Sequence, residues 1–131
     1  VRALRNYFTS IIDDPHGEMQ EGYRMTLASV AGDGNYASLL YRRSLRKTAS
    51  FVAQAHQAAR AAGDLQGQAL DVSNTAMFIE HIGTMMTSIC RLDQTSRPYA
   101  SDGRDLAREA VWFCCRGIGL TDAAIARYIE T

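Results

Sequence analysis

The residues able to do chemistry are few and scattered. His16, His56 and His81 fall on one connecting stretch and two different helical stretches, and no spacing sets two of them on one helical face as metal ligands. No metal and no cofactor are therefore expected. Glu80 and His81 could in principle exchange a proton, but neighbours in a helix point about 100° apart and seldom cooperate. Gly32-Asp33-Gly34 follows a helix and lacks the lysine and hydroxyl of a phosphate-binding loop. No catalytic residue is assigned, and a non-enzymatic protein is expected. The adjacent pair Cys114-Cys115 next to Arg116 could sense oxidants or electrophiles if its thiol pKa were lowered. Cys114 also falls on a buried face, where a thiol serves as inert packing.

A second polar signal lies on a long stretch at about 36–62. Ala37, Leu40, Tyr41, Ser44, Thr48, Phe51 and Val52 share one helical face, with Arg42, Arg46, Gln57 and Arg60 opposite. Each hydroxyl buried without a partner costs about 1–3 kcal/mol, so Tyr41, Ser44 and Thr48 need partners inside. Two readings are open. The hydroxyls of Ser44 and Thr48 bond back to carbonyls one turn earlier while Tyr41 reaches solvent, or all three orient a ligand in an apolar cavity.

These side chains must be positioned by helices. Prolines occur only at Pro15 and Pro98, each in a polar connection, and further breaks fall at Gly32-Asp33-Gly34-Asn35 and Gly63-Asp64. Six helices are predicted, at 1–13, about 20–31, about 36–62, about 70–93, about 102–117 and about 122–130, the last capped by Thr121. No alternating strand pattern occurs, so the class is all-α, a bundle of five to six helices. At 131 residues, with 47% apolar residues, one domain can bury a core unaided. Fourteen basic and fourteen acidic residues cancel, which removes the electrostatic footprint of direct DNA binding. No membrane span or signal peptide is read, and three cysteines suit a reducing, cytoplasmic setting. The first helix begins at Val1 without a capping residue, as in a fragment of a longer chain.

The stretch at about 70–93 is apolar nearly all round. Ala76, Ile79, Gly83, Met86 and Cys90 lie on one side, and Phe78, Ile82, Met85, Ile89 and Leu92 on another, with a narrow polar stripe of Ser73, Glu80, Thr84, Thr87 and Arg91. Burial on two sides calls for a second subunit. The small-residue side is assigned to dimerisation, because Ala76, Gly83 and Cys90 permit close helix approach, and the bulky side to a cavity. Trp112, among Asp105, Arg108, Glu109 and Arg116, is a further interface candidate or lies across the arginine stems.

The order of these helices, with Ala61-Ala62-Gly63-Asp64-Leu65 ending the long one and Arg116-Gly117-Ile118-Gly119 closing the last long one, resembles the C-terminal domain of tetracycline-repressor-like (TetR) transcription regulators across the whole chain. The resemblance implies that the last two long helices form a four-helix bundle with those of a second subunit. It also implies a pocket among the first four helices for a small apolar effector. The expected pocket wall is Phe8, Met25, Tyr41, Ser44, Thr48, Phe51, Phe78, Ile82 and Met85; the expected homodimer interface is Ala76, Ile79, Gly83, Met86, Cys90, Trp112 and Arg116. DNA binding, as a bacterial repressor, is implied only through an N-terminal helix-turn-helix absent from these residues. The alternatives are a thiol-sensing regulator acting through Cys114 and Cys115, or a helical dimerisation and docking module without ligand.

Overall fold

The computed structural model describes residues 1–68 and 70–130, with all of their side chains except those at 44–46. Its six α-helices are α1 (Arg2–Asp13), α2 (Glu18–Ala31), α3 (Asn35–Ala61), α4 (Val72–Cys90), α5 (Gly103–Ile118) and α6 (Asp122–Ile129), with one 3-10 turn at Gln94–Ser96. Among the described residues there is no β-strand, and the class is all-α as expected. The helix ends follow the local signals. Asp71 caps α4 by accepting from the Asn74 amide at 2.9 Å, and Thr121 caps α6 by accepting from the Ala124 amide at 3.1 Å. At the far end of α4, Arg97 donates to the Cys90 and Leu92 carbonyls, which the helix itself leaves unpaired.

The core is one-sided. Phe8 and Ile11 of α1 meet Met86 and Cys90 of α4, Val111, Cys114 and Cys115 of α5, and Ile125 and Ile129 of α6, all nearly or fully buried. At roughly 1.5–3 kcal/mol for each large apolar side chain removed from water, this cluster supplies most of the hydrophobic stabilisation. No described side chain of α2 or α3 belongs to it. Those two helices pack on each other and on α4, which stands as a shared wall between α1 and the α2–α3 pair. Among the described side chains of α3, only Ala37 and Val52 are buried.

Two loops are tied together across the bottom of the bundle. The Gln66 amide donates to the Gly119 carbonyl at 2.8 Å, the Thr121 amide to the Asp64 carbonyl at 2.9 Å, and Leu65 and Leu120 form an isolated antiparallel bridge. The Gly119 backbone is left-handed at φ 96°, and a Cβ there would meet the Gln66 carbonyl at 2.9 Å, so only glycine fits. Asp64, itself buried, accepts a hydrogen bond from Arg127 at 3.0 Å. The Ala61–Leu65 and Arg116–Gly119 steps, singled out in the sequence, thus adjoin or take part in one clasp that fixes α3 to the α5–α6 turn.

The two faces of α4 are exchanged relative to the sequence expectation. Ala76, Met86 and Cys90 are at most 4% exposed within this one chain, and Gly83 is buried as well, so these four cannot form a subunit interface. The small residues do admit a close neighbour, but it is α1 of the same chain: the Tyr7 ring and hydroxyl lie against Gly83, where a methyl group would collide with them. The polar stripe is not the wet side either. Thr84 and Thr87 are buried, and the Thr87 hydroxyl bonds to the Gly83 carbonyl at 2.9 Å. The side of α4 left in water is the apolar one. Phe78 is 59% and Met85 51% exposed.

Candidate ligand-binding site

A hollow of about 240 Å³ opens between α2, α3 and α4. Amphipathic spacing brings Tyr23 in from α2, Tyr36 and Tyr41 from α3, and Met77, Glu80 and Thr84 from α4. Thr26 also faces it, but its hydroxyl is already committed to the Gly22 carbonyl at 2.9 Å. The Tyr41 ring stands edge-on to His81, with centroids 5.8 Å apart. Glu80 and His81 diverge as helix geometry requires: Glu80 lines the hollow, whereas His81 reaches the edge of the groove between α4 and α5.

The electrostatics concentrate on Glu80. Its carboxyl has no hydrogen bond or ion pair among the described residues, and burial raises its pKa above the usual carboxylate range. Behind it, the Tyr7 hydroxyl is enclosed with no partner in hydrogen-bond geometry, and its ring meets that of Tyr23 edge-on at 6.2 Å. Burial first, then the neighbouring Tyr23 and Glu80, raises the pKa of the Tyr7 hydroxyl; burial also raises that of Tyr23, with the Tyr7 hydroxyl opposing and Glu80 adding to it. Both tyrosines stay neutral donors.

A second hollow of about 280 Å³ lies further along the same face of α3, between its C-terminal half and α1, α4, α5 and the α6 end. Leu4, Phe51, Val52, Ile79 and Leu120 line it together with His56, whose Nε2 is enclosed and unpartnered. Burial, with Arg60 nearby, lowers the imidazole pKa and keeps it neutral.

Of the nine expected pocket residues, Tyr41 lines the first hollow and Phe51 the rim of the second. Phe8 is fully buried in the core against α5, because the α1 stripe faces inward there. Met25 is 46% exposed, Thr48 is half-buried, and the Ser44 side chain lies outside the described residues. Phe78, Ile82 and Met85 line no interior wall; they border a groove between α4 and α5 together with Phe113, which is 70% exposed. Tyr23, Met77 and Glu80 were not assigned to the pocket. The one available signal was Glu80, a lone carboxylate in a helix otherwise almost devoid of charge.

Among the expected interface residues, Ile79 is half-buried between the second hollow and the groove, while Trp112 and Arg116 sit on the outer side of α5. The Arg116 guanidinium stacks over the indole at 4.8 Å and pairs with Asp122 at 2.9 Å. All three thiols are buried. Burial and the adjacent Cys115 push Cys114 up to about 12, and burial pushes Cys115 upward too, the reverse of a reactive thiolate. Among the described residues no group of three or more potential metal ligands occurs, and no helix is long and apolar enough to cross a membrane. No family model, no curated protein and no solved structure matches this chain.

Proposed function

We propose that the chain is the effector-binding and dimerisation domain of a TetR-like bacterial repressor, working in the cytoplasm. One observation carries the reading: α4 buries Thr84 and Thr87 of its polar stripe, while its Phe78 and Met85 and the Phe113 of α5 stand in water along the α4–α5 groove. A large contiguous apolar surface of this kind marks an interaction site, and two helices presenting it side by side suit the same pair from a second copy. The occupant is a second copy because the chain carries no net charge, so self-association meets no long-range repulsion. DNA recognition would belong to a helix-turn-helix domain outside these residues.

The effector would enter the hollow between α2, α3 and α4. α1 is the natural coupling element, since it packs on α5 beneath the proposed interface and places Tyr7 against α4 beside the hollow. Ligand that favours one seating of α1 would shift the arrangement of the two subunits. The test is native mass spectrometry at micromolar concentration on the wild-type chain and on Phe113→Glu. A wild-type dimer that becomes a folded monomer in the variant is expected; a wild-type monomer overturns the reading.

A further inference from the structure

The lining of the first hollow discriminates between ligand charges. A half-buried carboxylate is costly unless paired, and Glu80 has neither hydrogen bond nor ion pair among the described residues. A neutral apolar guest would strip the remaining water from Glu80 and force its carboxyl to take up a proton, leaving a buried hydroxyl without a partner. An anion would be repelled, since among the described residues no lysine, arginine or histidine lines the hollow to offset Glu80. A bare metal ion finds a single carboxylate and, among the described residues, no further ligand of its kind.

What remains complementary is a soft organic cation. Tyrosine rings attract a cation through the negative potential of their faces, and more so where water is excluded. Tyr23, Tyr36 and Tyr41 approach the hollow from two helices, and Met77 adds a polarizable apolar contact opposite. The Tyr41 ring is held in place edge-on by His81. A space of about 240 Å³ holds on the order of ten to twelve heavy atoms at the packing density of protein interiors.

We propose that this hollow binds a small organic ammonium ion, its charge paired with the Glu80 carboxylate and its alkyl or aryl groups seated against Tyr23, Tyr36 and Tyr41. The proposal rests on the ligand-binding reading above and names the class of ligand that the site takes. It departs from the small apolar effector that the resemblance implies, because Glu80 sits in the wall of the hollow.

The experiment is a ligand-observed NMR titration of the wild-type chain with phenyltrimethylammonium and with tert-butylbenzene, its uncharged isostere. The ammonium should bind at least about tenfold tighter, and Glu80→Gln should erase that preference while circular dichroism shows the variant folded. Tyr41→Leu should weaken the ammonium several-fold and leave the hydrocarbon unchanged. If tert-butylbenzene binds the wild type as tightly as the ammonium, or if Glu80→Gln retains the preference, the cationic class is overturned and the ligand site stands. If neither probe binds at millimolar concentration, the ligand site itself is overturned together with its class.

Discussion

The half of the molecule built from α1, α5 and α6 and the half built from α2 and α3 are both helical, both amphipathic and both packed on α4, yet they are filled very differently. The first contributes Phe8, Ile11, Val111, Cys115 and Ile125, all fully buried. The second contributes none of its described side chains to the core cluster and has a hollow at each end of the inner face of α3. A protein interior that is packed to crystal density resists change, whereas a helix seated over cavities can shift at small cost. The difference teaches where to look for function: the dense half fixes the geometry of the α4–α5 groove, and the hollow half has room to take a ligand.

The sharpest way to break this comparison is to truncate one phenylalanine in each half. Phe8→Ala should cost about 3–5 kcal/mol, as expected for a fully buried aromatic. Phe51→Ala, on a residue 58% exposed, should cost under about 1 kcal/mol. Urea unfolding of both variants checks it, and similar losses would mean that α3 is as much a part of the core as α1.

A smaller effect probes the seam between the halves. Gly83→Ala puts a methyl group into the Tyr7 ring and hydroxyl and should cost about 1–3 kcal/mol by overpacking. Combined with Tyr7→Leu, much of that loss should disappear, giving a non-additive double-mutant cycle. Strict additivity would show that α1 does not rest on Gly83.

The smallest effect is a pH dependence confined to the hollow. Burial raises the Glu80 pKa in the folded chain, so the folded state holds this proton more tightly than the unfolded one. The corresponding stability is fully present below the ordinary carboxylate pKa and is lost as pH rises through the elevated folded value. Without ligand, Glu80→Gln should therefore gain stability over the wild type between pH 4 and pH 7, as read from thermal unfolding at the two values. A constant difference between the two proteins across that range would place the Glu80 carboxyl in full contact with water.

Much of the architecture was legible in the residues. The Thr121 cap, the break after Ala61-Ala62 at Gly63 and the proline-bearing connections are local signals, and local hydrogen bonding decides them. The groove of α4 and α5 was legible as a surplus of apolar residues on α4. Which side of α4 would be wet was not. Ala76, Gly83 and Cys90 invite a close helix equally well from the same chain or from another, and a helical wheel carries no information about which neighbour arrives.

Tyr41 could be assigned to the pocket from the face it shares, but Tyr23 and Glu80 join it only because α2 and α4 converge there. By itself the sequence determined six helices, their approximate ends and the all-α class, since these depend on contacts within a few residues. The tertiary structure alone decided that Tyr7 would fill the notch at Gly83, that Phe78 and Met85 would stay in water, and that a lone carboxylate would meet three tyrosines in a hollow. Those outcomes depend on which faces of different helices compete for the same space, and close packing settles that competition only when the whole chain is folded.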